Sequence, residues 1–257
     1  MMLKSVLRAG VITISASLLT STAYAQNHSD HQHSPDPSTQ TSTPLAPDFV
    51  FTEAPEDHAI GGDFAPITMI TYASVTCGHC GNWFSNIWPE VKTELVETDK
   101  IRFVLRPLPT APAALSVTGF TMAECAPDAD YMSVIEYQME NQKEILELAQ
   151  AGQGQAAYAK IAKLAGLDDD AEITACLSDK NNSDHIALSN HRANAAGVSG
   201  VPAFFINGEE YKGDQSAKAI IKLINEMIET GSSSLPAAAT ENPDKIKITP
   251  PISTIGK

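Results

Sequence analysis

Two cysteines three positions apart are the residues of this chain best suited to chemistry. Cys77, Gly78, His79 and Cys80 follow a run rich in β-branched residues, ITMITYAS, and begin a segment with apolar residues at helical spacing. The first turn of a helix leaves backbone N–H groups unpaired and carries partial positive charge, which favours a thiolate over a thiol. We therefore predict that Cys77 is a nucleophilic sulfur.

The residues after Cys77 have distinct expected roles. Cys80 lies one helical turn further on, where it can close a disulfide with Cys77 or resolve a mixed disulfide by attacking the Cys77 sulfur. His79 adds positive charge and a hydrogen-bond donor beside the thiolate. Cys77, His79 and Cys80 are therefore predicted catalytic residues, and Cys77 and Cys80 the redox-active disulfide.

A Cys-x-x-Cys pair can also be half of a zinc site or a purely structural bridge. A zinc site needs a second pair of cysteines or histidines at ligand spacing, whereas Cys125 and Cys176 are isolated. A structural bridge across so small a loop constrains the unfolded chain little. The pattern of strand, Cys-x-x-Cys and helix favours redox chemistry, and we predict no metal ligand and no bound cofactor.

The first 25 residues have the features of a secretory signal peptide. Lys4 and Arg8 begin it, an apolar run follows, and Ala23-Tyr24-Ala25 places small residues where a signal peptidase binds. We predict cleavage before Gln26 and a periplasmic protein. An uncleaved anchor is the alternative, but the apolar run is shorter than the ~20 residues of a spanning helix. No stable membrane insertion is expected.

The net charge and the number of cysteines indicate which partners and which cysteine pairs to expect. The formal net charge of −14 disfavours binding to phosphate backbones, so no nucleic acid is expected as a partner. Four cysteines form an even set, and in an oxidising compartment they are expected to pair. With Cys77 and Cys80 as one pair, Cys125 and Cys176 are the other. We interpret that bond as structural, and a second redox pair is the alternative.

Hydrophobic periodicity predicts an α/β domain that is interrupted by helices. Residues 49–111 contain a strand, the Cys-x-x-Cys helix with Pro89 as a kink, and a second strand, which together indicate a parallel βαβ unit. Residues 112–196 show helical spacing only, so they are predicted to form a helical insert. Residues 197–230 contain the strand AFFI, an Asn-Gly turn, a returning strand and an amphipathic helix.

The two ends of the chain and two histidines carry no convincing functional pattern. Residues 26–48 and 231–257 are predicted to be a disordered polar linker and a disordered tail. Three histidines of the linker could hold a soft metal weakly, although a plain linker is the favoured interpretation: His28, His31 and His33. His185 and His191 do not share a helical face well and are interpreted as surface residues.

Two motifs and the block between them resemble a known family. YASVTCGHC, GVSGVPAFFING and the helical stretch that separates them are similar to the DsbA-like branch of the thioredoxin superfamily, over about residues 57–229. The resemblance implies an α/β thioredoxin fold with an inserted all-helical subdomain. It also implies that Pro202 is a catalytic residue, a cis-proline that faces the Cys-x-x-Cys, and that the Val201 backbone binds a substrate peptide in strand-like fashion.

The resemblance further implies a reaction and its partners. An oxidised Cys77–Cys80 bridge would be attacked by a cysteine of a newly exported, unfolded polypeptide, which leaves with a disulfide. A membrane quinone-linked oxidase of the DsbB type would then reoxidise the protein. The nearest alternative is a periplasmic disulfide reductase or isomerase. An alternative of another class is a metal-handling or chaperone-like binding protein, which would not need its thiols.

Overall fold

A computed structural model describes residues 49–240 of the 257-residue chain. The predicted signal peptide, the predicted linker and residues 241–257 of the predicted tail lie outside the described residues. Among residues 49–240, no helix is long and apolar enough to cross a membrane.

Within this range a five-stranded mixed sheet forms the centre of the fold, in the spatial order β1-β3-β2-β4-β5. Its strands are β1 (Ala59–Ile60), β2 (Ile67–Ala73), β3 (Ile101–Pro107), β4 (Ala203–Ile206) and β5 (Glu209–Tyr211). Strands β2 and β3 pair in parallel and the other neighbours pair antiparallel. The parallel βαβ unit and the returning hairpin are the predicted ones, whereas β1 is too short for periodicity to indicate it.

The helix after the Cys-x-x-Cys is broken rather than only kinked. It consists of α1 (Gly78–Asn86), α2 (Trp88–Val91) and a π-helical turn (Lys92–Val96). Ile87 stands between the two helices with φ −118°, and Pro89 lies in the first turn of α2. Proline is compatible with a first turn because it has no N–H to donate, so the chain restarts its helix at that point.

Helices alone connect β3 to β4. These are α3 (Ala113–Glu124), α4 (Asp128–Glu140), α5 (Gln142–Gln150), α6 (Gly154–Leu164), α7 (Asp170–Ser178) and α8 (Lys180–Ala195). Helical spacing runs without a break over residues 131–148 of the sequence and predicts one helix there, whereas the structure has two, α4 and α5. They separate at Asn141, whose side-chain amide donates to the Tyr137 carbonyl oxygen at 2.8 Å, the type of local bond by which asparagine competes with helical pairing.

Both faces of the central strand are buried, which makes the support of the Cys-x-x-Cys rigid. Met69 is wholly buried in the main core with the helices of the insert, and Ile70 points to a smaller cluster with Phe205 on the other face. Alternate residues of a strand point to opposite faces, and both faces of β2 are covered, so the strand is an almost continuous apolar run.

A buried ion pair holds the segment before β1 against the sheet. Arg106 of β3 donates from Nη2 to the Asp57 carboxylate at 2.7 Å, and the two side chains are only 1% and 2% exposed. Further guanidinium N–H groups donate to the carbonyl oxygens of Val50 and Thr52. Burial acts to lower the pKa of Arg106, but the hydrogen bonds and charge of Asp57 outweigh it and the pKa is raised.

The C-terminal part of the described chain differs from the predicted disordered tail. Helix α9 (Ala217–Thr230) ends at Gly231 with φ +66°, and the chain then packs back on the domain through the short helix α10 (Ala237–Thr240). Leu235 and Ala239 are buried in the main core, and the Lys212 N–H donates to the Ala239 carbonyl oxygen at 2.8 Å. The serine-rich composition obscured these two apolar anchors.

Candidate active site

Cys77 stands at the junction of the central strand and the first helix. It is the residue before α1, with extended φ −85° and ψ 119°, and its carbonyl oxygen accepts the Gly81 N–H at 3.0 Å. Its side chain is partly exposed and packs against the main core. The sulfur therefore lies at a helix N-terminus, where unpaired N–H groups favour negative charge.

Cys80 differs from Cys77 in its surroundings. Its side chain is wholly buried, and its Sγ accepts the Ser74 N–H at 3.5 Å. Burial raises the pKa of the Cys80 thiol well above its ordinary value, against the opposing effect of the Ser74 hydrogen bond. Both cysteines are free thiols in this structure. The pair thus has one accessible sulfur and one that stays protonated.

The Val201-Pro202 segment lies directly opposite the accessible sulfur. Its peptide bond is cis, and the Val201 carbonyl oxygen is 3.5 Å from the Cys77 Sγ. Tyr72 and Ala203 are the last pair of the β2–β4 ladder, and Ala203 directly follows Pro202 in the chain. The two strands therefore deliver Cys77 and Val201 to the same end of the sheet.

The outer surface of this site is open. His79 is exposed on the first turn of α1, between the two cysteines. A side chain built at Gly78 would meet no atom within 4 Å. Free space beside Cys77 is what a macromolecular substrate would need to bring a sulfur close to it.

Gln142, the first residue of α5, was not found by sequence reasoning. Its side-chain amide donates to the carbonyl oxygens of Val75 and Cys77 at 2.9 and 3.0 Å. The contact with α1 is close because Gly81 has no side chain, and a Cβ there would lie 2.8 Å from the Gln142 Oε1. The helical insert thus holds the loop that carries Cys77. Gln142 and Cys77 are 65 positions apart, so no local sequence pattern reveals their contact.

A second set of polar contacts fixes the other side of the same loop. The Ser74 Oγ lies 2.9 Å from the Ser116 Oγ and accepts the Thr110 N–H at 3.1 Å. Thr76 donates to the Thr110 carbonyl oxygen at 3.0 Å. Residues 74–77 are therefore tied both to the chain after β3 and to the start of α3.

The other residues singled out from the sequence lie in the helical insert. Cys125, next to the end of α3, is disulfide-bonded to Cys176 of α7, with 5.9 Å between their Cα atoms. His191 is exposed, as interpreted. The interpretation of His185 as a surface residue is wrong, because its side chain is only 13% exposed and lies 2.7 Å from the Glu124 carboxylate. Packing of α8 on α3 buries it.

The fold and the thiol pair are those of a thioredoxin-superfamily protein. Residues 53–226 match the family model Thioredoxin_4, described as thioredoxin. The chain belongs to this family, and the predicted membership of the thioredoxin superfamily is confirmed.

The chain is also similar to curated proteins of Rickettsia. It is 29% identical over 174 residues to "Putative protein-disulfide oxidoreductase RP025" of Rickettsia prowazekii (strain Madrid E), which covers 66% of this chain and 62% of that protein. The chain thus matches less than two thirds of that relative's length.

Solved structures agree on the fold. Wolbachia pipientis alpha-DsbA1 superposes with a TM-score of 0.61 at 24% identity, covering 69% of this chain and 94% of that one. BdbD from Bacillus subtilis, in its oxidised form, superposes with a TM-score of 0.56 at 13% identity, covering 67% and 93%. The predicted thioredoxin fold with a helical insert is therefore confirmed.

Proposed function

We propose that this protein is a thiol-disulfide oxidoreductase that introduces disulfides into cysteine-containing polypeptides through Cys77 and Cys80. The observation that carries the proposal is the asymmetry of the pair: the partly exposed Cys77 Sγ lies 3.5 Å from the Val201 carbonyl oxygen, and Cys80 is wholly buried. The name of the Rickettsia relative supports the same activity.

The reaction begins with the Cys77–Cys80 disulfide. A substrate thiolate attacks the Cys77 sulfur, because Cys80 is out of reach, and the bond between the two protein sulfurs breaks. Cys80 departs and takes up a proton, since burial holds its pKa high. A second substrate thiolate then attacks the substrate sulfur of the mixed disulfide, and Cys77 leaves. The substrate loses two electrons, and the protein disulfide gains them as two thiols.

The residues around the sulfurs have positioning roles in this proposal. The Val201 backbone, next to the end of the β2–β4 ladder, offers main-chain groups to an extended substrate peptide. Pro202 lies between Val201 and β4 and presents no N–H at that edge. His79 supplies a donor next to the Cys77 sulfur, on the open side of α1.

We infer that the substrates are unfolded, newly exported polypeptides and that the protein works in the periplasm. The predicted signal sequence and the set of four cysteines support that location. Two electrons reach Cys77 and Cys80 in each cycle, so an external oxidant must remove them. A membrane quinone-linked oxidase of the DsbB type is the proposed partner for that step, and the chain needs no bound cofactor.

A refolding assay tests the function. Oxidised protein is mixed with reduced, unfolded ribonuclease A, and regained ribonuclease activity is measured together with the loss of free thiols. We expect one substrate disulfide for each protein disulfide consumed. Cys77→Ser should abolish the transfer, whereas Cys80→Ala, pre-activated as a mixed disulfide with a small thiol, should exchange it for a substrate-linked one on Cys77. Wild-type levels of transfer by Cys77→Ser would refute the proposal.

The direction of electron flow needs a second measurement. The equilibrium of the Cys77–Cys80 pair with glutathione gives its reduction potential, because both thiols and their disulfide can be quantified by alkylation and mass spectrometry. We expect a value more oxidising than that of thioredoxin, about −270 mV. A value at or below thioredoxin's would instead support the reductase alternative.

A further inference from the structure

Three side chains that are distant in sequence converge away from the cysteine pair. His58 precedes β1, Glu124 ends α3, and His185 lies on α8. The His58 Nε2 and the His185 Nδ1 lie 3.0 and 2.7 Å from the same oxygen, the Glu124 Oε2. One nitrogen or oxygen from each residue lies within 4.8 Å of the other two. Two imidazoles and a carboxylate thus point at one small volume.

This cluster is buried, and its hydrogen bonding is incomplete. The side chains of His58, Glu124 and His185 are 15%, 5% and 13% exposed. The second carboxylate oxygen of Glu124 is buried without a hydrogen-bond partner, and so is the hydroxyl of Tyr131, whose ring stacks on His58 at 3.9 Å. Buried polar atoms are normally satisfied, so this carboxylate oxygen and the neighbouring Tyr131 hydroxyl can bind each other or a ligand that enters the cluster.

The surroundings fix the cluster before any ion binds. The other ring nitrogen of His58 lies 3.2 Å from a carboxylate oxygen of Asp128, the arrangement that orients a metal-binding imidazole. Cys125, the neighbour of Glu124, is bonded to Cys176, and Asn182 of α8 donates to the Cys125 Sγ at 3.0 Å. Helices α3 and α8, which carry two of the three side chains, are therefore held together.

We propose that His58, Glu124 and His185 bind one zinc ion, through the His58 Nε2, the His185 Nδ1 and the Glu124 carboxylate. Two imidazoles with one carboxylate are an established zinc ligand set, and a fourth position remains for water or the second carboxylate oxygen. Calcium and magnesium prefer oxygen ligands throughout, so they fit this site less well. No sequence pattern indicates this site, because Glu124 is 66 positions from His58 and 61 positions from His185.

The position of the ion suggests its effect on the fold. His58 belongs to the segment that precedes the sheet, and its two partners belong to the helical insert. Zinc would therefore join the N-terminal segment to the insert, with the Cys125–Cys176 disulfide beside it. It is expected to stabilise the folded chain, since a ligand that binds only the native state raises the midpoint of thermal unfolding. The site is independent of the proposed redox function.

Zinc titration of the full chain tests the site. Cys77 and Cys80 are kept as a disulfide so that their sulfurs cannot bind zinc, and His28, His31 and His33 are replaced by Gln in every sample. Binding is measured by competition with a chromophoric zinc indicator. We expect one equivalent to bind, and we expect cobalt to give the visible absorption of a low-coordinate nitrogen and oxygen site.

Ligand variants locate the ion. His185→Gln and His58→Gln should each weaken zinc binding at least about 100-fold, since even outer-sphere changes cost 10- to 100-fold. His191→Gln is the matched control, because it is on the same helix but exposed, and it should bind like the parent. Circular dichroism checks that each variant is folded. If one histidine variant fails to fold, the titrations of the parent protein and of the other variant still test the proposed site.

Two outcomes would overturn the proposal. One is a parent protein that binds no stoichiometric zinc at micromolar concentration. The other is folded His58→Gln and His185→Gln proteins whose zinc affinity equals that of His191→Gln. In either case the cluster is a hydrogen-bonded His–Glu–His group without a metal, and the refolding assay of Cys77 and Cys80 would be unaffected.

Discussion

The Val201 carbonyl oxygen and the Cys77 Sγ lie 3.5 Å apart although 124 positions separate the two residues. The whole helical insert lies between them in sequence, and the antiparallel pairing of β2 with β4 closes that distance. Because both strands are buried in the sheet, the separation between the sulfur and the carbonyl oxygen is set by the rigid part of the fold. Strand register therefore brings the Cys77 loop and the Val201-Pro202 segment together, and the contacts of Gln142 and Ser74 hold that loop in place.

The two cysteines should differ sharply in reactivity. In the reduced protein, iodoacetamide is expected to modify Cys77 and to leave Cys80 unmodified at neutral pH. Cys80 is wholly buried, and its raised pKa keeps its sulfur in the unreactive thiol form as the pH rises past the ordinary range of a cysteine. Mass spectrometry of peptides after timed alkylation measures both sites.

Cys77→Ser provides the control for this experiment. This variant lacks the accessible sulfur, so only Cys80 could react. The mass of the variant should stay unchanged over the time in which Cys77 of the parent protein is fully alkylated. Comparable modification of Cys80 in the folded variant would contradict the buried position and with it the proposed order of attack.

Gln142 should act as a positioning residue for the active-site loop. Gln142→Ala removes two hydrogen bonds at a partly buried site, so the Val75 carbonyl oxygen loses its side-chain donor while the Cys77 carbonyl oxygen keeps only the Gly81 N–H. We expect the free energy of unfolding to fall by about 1–3 kcal/mol, together with faster amide hydrogen exchange in residues 74–77. Chemical denaturation and hydrogen exchange by mass spectrometry measure the two effects.

Gln150→Ala is the matched control, because it changes the same residue type at the exposed end of the same helix. Its effect on stability should be within about 0.5 kcal/mol of zero. Equal effects of the two variants, or an unchanged exchange rate in residues 74–77 of Gln142→Ala, would show that the insert does not hold the loop.

Sequence patterns were most informative where a signal is local. The bounds of β4 (Ala203–Ile206) are those of its apolar run, and β2 is found to within one residue of its prediction. The Asn207-Gly208 turn has positive φ at both residues, which is the reason that this pair indicates a hairpin.

Contacts between distant segments were not accessible in the same way. Gln142 reaches Cys77 across 65 positions, and His58 reaches Glu124 across 66. Each pair meets only because the insert packs on the sheet domain, so neither residue shows a period or a motif of its own. The break at Asn141 was missed for a related reason, since an asparagine side chain can equally face solvent within a continuous helix.

The buried ion pair of Asp57 and Arg106 should contribute far more to stability than the exposed ion pair of Asp63 and Arg102. Asp57→Asn leaves the Arg106 guanidinium, only 1% exposed, without its charged partner. Removing one member of a buried ion pair typically costs about 3–5 kcal/mol. Asp63→Asn is the control, because Asp63 is 79% exposed where it pairs with Arg102 and should contribute at most about 1 kcal/mol. Urea denaturation of both variants measures the difference, and similar losses would contradict it.

The Cys125–Cys176 bond should stabilise the protein without taking part in exchange. Its cysteines are 51 positions apart, and a bond that closes a loop of that length restricts the unfolded chain by about 4 kcal/mol in the chain-entropy description. Cys125→Ala/Cys176→Ala is therefore expected to lower the free energy of unfolding by up to that amount. Ribonuclease refolding by the folded double variant should continue at the parental rate, because Cys77 and Cys80 are retained. A folded double variant that has lost this activity would instead identify Cys125 and Cys176 as a second redox pair.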